Sequence, residues 1–366
     1  MVLLYLFAFV VFINCFYFFL FSRFSLRVKD QVQVIQENNF PISLVVYAKN
    51  EASSLKEHIP LWLKQEYPEF EIILINDASF DDTLNVMELF EKNNENIKIV
   101  NVENNETFWG SKKYALTLGI KKASNQRMIF TGADCKPASN KWLNEMGAHF
   151  SSKKQIVLGY GSYFKKKGLL NKLIRFDTLL TAIQYFSFTL FGMPYMGVGR
   201  NLAYSSNVYY DNGGFVSHME IQAGDDDLFI NQAGTKTNTA ICFSKKSFTY
   251  SESKSTWKEW ISQKKKHITT KKLYQFKHQF LLSFFYISLL LFWAFSIITL
   301  SLFDWKIPLA IILFRMVFQY IIMYHAAKKL EEKDLITWFP FLEILLIIFQ
   351  FTIFIICSLP KSNSWK

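Results

Sequence analysis

The densest acidic cluster in this basic chain is Asp225-Asp226-Asp227, preceded by Gly224 and followed by the apolar residues Leu228, Phe229 and Ile230. Three adjacent carboxylates repel one another, and such crowding lifts a carboxyl pKa toward the range a general base needs. One of the three is also suited to cap the helix that the apolar residues begin. Two further carboxylates follow short apolar runs, Asp77 in Ile75-Asn76-Asp77-Ala78-Ser79 and Asp134 shortly after residues 127–131. Each could be a turn or capping group. Placed together at strand ends, in a domain without a zinc pattern, they suit a hard cation, and Mg2+ or Mn2+ held by carboxylates commonly keeps substrate phosphates in its shell. A nucleotide diphosphate is then the expected guest. Lys112 and Lys113, at the start of the next predicted helix, are candidates to neutralise its charge; a solvated helix face is their alternative role.

Positioning these groups falls to a repeated strand–helix pattern. Residues 42–47 (ISLVVY) read as a strand and 52–63 as a helix; 71–76 and 82–92, 97–102 and 111–123, and 127–131 and 140–150 repeat the pair. Four such repeats argue for an α/β domain with a mostly parallel sheet covered by helices. In such sheets ligands bind beyond the carboxyl ends of the strands, which directs attention to residues 49–51, Asp77 and residues 132–134. No glycine follows the first strand and no G-x-x-x-x-G-K-[ST] occurs; Gly197-Val198-Gly199 is only a partial dinucleotide match.

The hydrophobic residues, 51% of the chain with 38 Phe among them, concentrate at its two ends, while residues 39–255 read as one ordinary domain. Residues 2–21 form an apolar run broken only by Asn14 and long enough for the about 20-residue helix that crosses a bilayer. It lacks the basic start, short apolar stretch and small-residue end of a signal peptide, so residues 1–38 are expected to be a retained anchor and linker. Arg23, Arg27 and Lys29 place the domain after this helix in the cytoplasm by the positive-inside bias. Three more spans are expected at 280–303, 307–324 and 338–359, within residues 279–366. Arg315 and Glu343 fall inside two of them, where an ionisable group costs about 2.5–3.5 kcal/mol, so they should face protein and lock helices together.

Residues 165–191 begin basic and become apolar and aromatic; a fifth span and a buried helix are open, and Thr178, Thr181 and Gln184 favour an element lying on the bilayer. Residues 257–272 mix Trp and Ile with lysines, the composition of an interfacial basic amphipathic helix within 256–278. Cys15, Cys135, Cys242 and Cys357 make no disulfide or zinc pattern, in keeping with a reducing compartment. The six histidines contain no H-x-x-x-H pair, which excludes a zinc hydrolase of that type. A net charge of +11 raises the question of nucleic acid, but the lysines cluster at 165–167, 245–246 and 264–272, near the expected bilayer face, where anionic lipids account for them. No nucleic-acid partner is expected.

Five segments then carry a family resemblance. Residues 42–51 (ISLVVYAKNE), 75–83 (INDASFDDT), 131–137 (TGADCKP), 224–228 (GDDDL) and 263–267 (QKKKH) are similar, in order and spacing, to family 2 inverting glycosyltransferases of the GT-A fold, over about residues 41–273. The resemblance implies a Rossmann-like GT-A domain that binds a nucleotide sugar, here carried with one N-terminal and three C-terminal transmembrane helices. It implies that Ala48, Glu51 and Asp77 hold the uridine part of the donor and that Asp134 binds Mg2+ or Mn2+, although Gly132 stands where the family's D-x-D begins. Asp225 becomes the base, in a segment where Gly224 replaces the family's Glu, with Asp226 and Asp227 on the acceptor or diphosphate side.

Gln263, Lys266 and His267 stand where membrane polysaccharide synthases have Q-x-x-R-W; lysine loses the planar fork of arginine and histidine offers less stacking surface than tryptophan. Residues 197–204 (GVGRNLAY) resemble the acceptor-side segment, which makes Arg200 and Asn201 candidate acceptor contacts. The implied reaction is inverting transfer of a sugar from a nucleotide diphosphate donor, UDP by resemblance, to a membrane-associated lipid or glycan acceptor at the cell (inner) membrane. A processive polysaccharide synthase is the alternative within the class. A catalytically inactive, glycosyltransferase-like membrane binding protein is the alternative outside it.

Overall fold

The computed structural model describes residues 1–28, 40–103 and 112–358. The expected linker to residue 38 falls outside them apart from residues 22–28, as do residue 111 and residues 359–366, with the expected end of the last span. The chain divides into two compact units: Met1–Lys29, Lys165–Ser187 and Lys254–Lys366 form one, Asp30–Phe164 and Phe188–Ser253 the other. The range 39–255 is therefore interrupted, because residues 165–187 group with the apolar helices. Helix α1 (Val2–Ser22) belongs to that helical unit.

The second unit begins β1 (Ile42–Ala48), α2 (Ala52–Leu63), β2 (Phe70–Asp77), α3 (Thr83–Asn93), β3 (Ile97–Val102), α4 (Lys112–Lys122) and β4 (Arg127–Gly132), the alternation legible in the sequence. After the two-residue β5 (Lys136–Pro137) comes α5 (Trp142–Gly147), shorter than the expected 140–150. Next in the chain are β6 (Ile156–Leu158), β7 (Gly161–Tyr163), α6 (Leu169–Leu190), β8 (Leu202–Ser205), α7 (Ser206–Asp211), α8 (Asp227–Ala233), β9 (Thr239–Ile241) and β10 (Thr249–Ser251).

Among the described residues β3-β2-β1-β4-β8-β6-β9 form one sheet and β5-β10-β7 a small second one. β1 and β2 are near-continuous apolar runs because both faces of a central parallel strand are covered. On one face Ile42, Leu44 and Val46 pack with Leu55, Ile59 and Trp62 of α2 and with Trp142 of α5. β1 pairs in parallel with β2 and β4, so Val45 faces both Ile73 and Phe130. Strand order reverses at β1, which opens a ligand crevice at the carboxyl ends of β1 and β4. β8 runs antiparallel to β4, with Phe130 opposite Leu202, and this brings the segment before β8 to the same edge.

The helical unit adds α9 (Trp257–Lys271), α10 (Phe276–Leu302), α11 (Lys306–Lys329) and α12 (Phe339–Ser358). Four segments are long and apolar enough to cross a membrane: Val2–Arg27, Phe276–Leu302, Lys306–Lys329 and Lys333–Cys357. They match the expected spans with longer polar ends. α1 packs against α10, where Phe7 stacks on Phe292 at 6.0 Å and Asn14 Nδ2 donates to the Ser288 carbonyl at 3.0 Å. Arg315 and Glu343 pair at 3.0 Å, Arg315 also donates to Asn14 Oδ1 at 3.0 Å and to Gln319, and Trp293 Nε1 donates to Glu343 at 3.2 Å. A buried ion pair persists only where its remaining donors and acceptors are met, as they are here.

Helix α6 corrects the expectation of an element lying on the bilayer. Leu173, Ile174, Phe176, Leu179 and Ile183 are buried, and within the helical unit Phe176 packs on Phe339 and Phe186 on Phe24. Of the polar residues that suggested a wet face, Thr178 Oγ1 donates to the Ile174 carbonyl and Gln184 is buried; Asp177 of the same helix pairs with Lys264. Arg175, 2% exposed, donates to Glu332 and Asp334. Helix α9 starts at a capping box of Thr256 and Glu259 and stacks Trp260 on Phe349 of α12 at 4.0 Å.

Candidate active site

At the carboxyl ends of β1 and β2 two loops are laced together. Asn50 N donates to Ser79 Oγ at 2.9 Å, Glu51 N to Thr83 Oγ1 at 2.8 Å and Phe80 N to Asn50 Oδ1 at 3.0 Å. Ala78 sits at φ 46°, a left-handed conformation that costs a residue with a Cβ, and its N–H is held by the Val102 carbonyl at 3.0 Å. This fixes Asp77, which is buried, accepts from Tyr47 Oη at 2.6 Å and lies 3.4 Å from Lys49 Nζ. Burial together with the Asp77 carboxylate pushes the Tyr47 phenol far above its ordinary value, so it stays a donor. Ala48, expected beside the nucleotide, has its side chain in the core and can offer a ligand only backbone. Glu51 is half-buried and accepts from Ser54 Oγ at 2.6 Å; burial, and then the charges of Asp134 and Asp81, outweigh that bond and raise its carboxyl.

Asp134 is exposed just past β4. A Cβ on Gly132 would lie 2.5 Å from Asp134 Oδ1, so the Asp134 carboxylate occupies the space that a side chain at the first D-x-D position would need. Cys135 Sγ donates to the same oxygen at 3.4 Å. No group of three His, Cys, Asp or Glu side chains that could hold a metal occurs among the described residues. A single exposed carboxylate, with the raised Glu51 carboxyl as neighbour, fits a hard cation that takes its other ligands from phosphate and water.

Asp225 carries a direct ion pair: Lys112 Nζ lies 2.7 Å from its Oδ2. Burial pulls the Lys112 ammonium down, but Asp225, Asp226 and Asp134 outweigh it and push its pKa up to about 12. The same ammonium lies 5.3 Å from the centre of the Tyr47 ring, so Tyr47 joins the Asp77 and Asp225 groups. Tyr47 was missed in the sequence, where its one signal is a hydroxyl-bearing ring closing the run ISLVVY; in the fold it is the half-buried residue of an otherwise buried strand. The cavity between Lys112, Tyr47, Thr131, Tyr204 and Asp225 is about 20 Å³, room for about one water.

The expected pKa rise in the acidic cluster falls on Asp226, which burial, Asp225 and Asp227 push up to about 7. Asp226 is also the helix cap: Oδ1 accepts from Asp227 N and Oδ2 from Gly199 N, both at 2.7 Å. Asp227 is buried and accepts from Leu228 N at 2.8 Å, a role inside α8. Gly224 has φ +102°, and a Cβ there would lie 2.4 Å from Leu228 Cδ1, so the backbone itself excludes the family's Glu.

Several other candidates are held by contacts of their own. Lys113, fully buried, donates to the carbonyls of His218 and Ile221 and is spent on holding that loop. Asn201, also fully buried, donates to the Tyr160 and Ser247 carbonyls and accepts from Trp142 Nε1, so it is a core bracket and offers no acceptor contact. Arg200 lies over the Tyr163 ring at 3.9 Å and donates to Ser251 Oγ at 3.0 Å, which ties it to the small sheet. Gln263, Lys266 and His267 all lie on α9 in the helical unit, where Lys266 is exposed and the other two half-buried.

A parallel sheet with one antiparallel strand beside β4, and carboxylates gathered at its strand ends, defines a GT-A-like domain. The chain belongs to glycosyl transferase family group 2, whose profile matches residues 139–358. The profile of glycosyl transferase family 2 matches residues 43–209. A poly-β-1,6-N-acetyl-D-glucosamine synthase of Staphylococcus epidermidis is 36% identical over 125 residues, 33% of this chain and 28% of that one. The synthase of Staphylococcus aureus strain COL is 32% identical over 119 residues, 32% of this chain and 27% of its own length. The chain thus aligns with less than a third of these relatives. In fold it is similar to the mannosyltransferase PcManGT of Pyrobaculum calidifontis, solved with GDP-Man and Mn2+, at TM-score 0.59 and 14% identity over 95% of this chain and 98% of that one.

Proposed function

We propose that the chain moves a sugar, with inversion, from a nucleotide diphosphate donor to a hydroxyl of a membrane-associated lipid or glycan acceptor. The observation that carries this reading is the Lys112–Asp225 ion pair at the carboxyl edge of the sheet, joined through Tyr47 to Asp77. Asp77 and the laced loops around it receive the nucleoside, and Asp225 receives the acceptor proton. In the described state Lys112 blocks Asp225. A donor diphosphate competes for the ammonium, and drawing Lys112 onto phosphate releases the Asp225 carboxylate. The acceptor oxygen then attacks the anomeric carbon as its proton passes to Asp225, the bond from that carbon to phosphate breaks, and the nucleotide diphosphate leaves with its charge against Lys112. Asp134 would hold Mg2+ or Mn2+, which supplies Lewis-acid neutralisation of the diphosphate.

The four apolar helices support a membrane location, and the basic residues after α1 support a cytoplasmic catalytic unit. UDP is the favoured nucleotide and a lipid-type acceptor the favoured acceptor. The test is transfer by the purified full chain from UDP-sugars with Mn2+ to lipid extract, read by mass spectrometry, with and without a chelator. One added sugar, lost on chelation, is the expected result; no transfer and no donor hydrolysis with any nucleotide sugar would make the chain a binding protein only. A processive synthase is the second reading, favoured by the likeness to poly-β-1,6-N-acetyl-D-glucosamine synthases, and a ladder of products would establish it.

A further inference from the structure

The helical unit contains a cavity of about 470 Å³ that the proposed transfer does not use. Its wall on α10 runs from Gln279 through Leu282 and Tyr286 to Leu290, and its wall on α12 from Ile347 to Phe354. From Gln279 to Leu290 there are eleven helical steps of about 1.5 Å, which makes the α10 wall roughly 16 Å long, close to the roughly 15 Å of one leaflet in a bilayer core of about 30 Å. Both walls belong to segments long and apolar enough to cross a membrane. Ile287, Phe351 and Phe354 line the cavity and are also exposed, so it opens sideways along the apolar faces of these helices.

The other end is basic. Lys271 and Lys272, at the end of α9, line the cavity where the chain turns into α10, and no Asp or Glu lines it among the described residues. Gln279 Nε2 donates to the carbonyls of Lys272 at 3.0 Å and Tyr274 at 2.6 Å, which fixes the turn that carries the two lysines at the mouth. An apolar slot one leaflet deep, open to the bilayer and ending under two cations, has the chemistry of an anionic phospholipid.

We propose that this cavity is a binding site for one anionic phospholipid, with an acyl chain between α10 and α12 and its phosphate at Lys271 and Lys272. The matched depth favours an acyl chain over a longer isoprenoid chain. The bound lipid fixes α9 against the first turn of α10, and it is a site for the membrane itself, separate from any acceptor.

The test uses the full chain in nanodiscs of equal phosphatidylglycerol and phosphatidylcholine, released and weighed by native mass spectrometry. One tightly retained phosphatidylglycerol is expected, at roughly thirtyfold preference from two surface-membrane lysine contacts. Lys271→Gln with Lys272→Gln should remove the preference and leave a lipid of either headgroup. Ser283→Trp, which fills the slot from an exposed position, should remove the retained lipid while the protein's thermal melt in detergent stays unchanged. Equal retention of both lipids by the unaltered chain would overturn the proposal. So would a double lysine variant that keeps the preference, or a Ser283→Trp variant that keeps the lipid. A polyprenyl phosphate displacing phosphatidylglycerol from the same slot at equal concentration would overturn the choice of ligand.

Discussion

Replacing Asp225 by Asn preserves shape and removes charge at one place. Asn can still accept a hydrogen bond from the Lys112 ammonium, but the contact at 2.7 Å loses its carboxylate and changes from an ion pair to a bond assisted by the cation alone, a loss of about 1 kcal/mol. Protein stability should therefore move little. Transfer loses its proton acceptor, worth about 10²–10⁴ in rate, or roughly 3–5 kcal/mol in the barrier. Donor binding should move the other way: the ammonium of Lys112 is no longer held by Asp225 and meets the diphosphate without breaking an ion pair, so the donor Kd should be unchanged or severalfold lower. The assay pairs calorimetric titration of the nucleotide sugar with Mn2+ against transfer measured by mass spectrometry on the same preparation. Transfer within threefold of the unaltered chain would refute Asp225 as base. Parallel loss of donor binding and transfer would refute the idea that Lys112 is released to the phosphate.

Three other perturbations test the frame around the site. Asp226 holds its proton to about pH 7 in the folded chain, against an ordinary value of 3.8, because of burial and its two acidic neighbours. Its stabilising contribution is thus complete below about pH 4 and lost as pH rises to about 7; urea unfolding across that window should show the decline, and Asp226→Asn should remove this component. Gly224→Glu, which restores the family residue, should lower the melting temperature and the transfer rate together, since φ +102° alone costs a side chain about 1–3 kcal/mol. Arg315→Met leaves the Glu343 carboxylate buried without its cation and should cost about 3–5 kcal/mol. Adding Glu343→Leu should recover most of that loss in a thermal melt in detergent.

The strand–helix order and the four helices long and apolar enough to cross a membrane were legible because each depends on local pattern. β1 and β2 read as buried strands from uninterrupted β-branched runs, and a 20-residue apolar run has few other fates in a folded chain. Helix α6 was not legible. Its Thr178, Thr181 and Gln184 look like a wet face, and only the burial of Gln184 and the ion pairs of Asp177 with Lys264 and Arg175 with Glu332 reveal the helix as internal. Asn14, a lone polar interruption in the first span, gained its meaning from Arg315, 301 positions away in the chain.

At the site the division is similar. By itself the sequence determined which side chains are available: three strand-end or loop carboxylates, two adjacent lysines and no zinc set. Residue type and spacing carry that information, because a carboxylate at a strand end is placed by the strand. Which of two neighbours faces the other carboxylates and which is spent on the fold was left to tertiary structure. Lys112 and Lys113 are adjacent on one helix and point apart, one to Asp225 and the other to the His218 carbonyl. Asp225 and Asp226 are adjacent too, yet one faces the lysine and the other caps α8. Adjacent residues on a helix or turn diverge by about 100°, so their fates are set by what lies opposite, and that comes from distant parts of the chain.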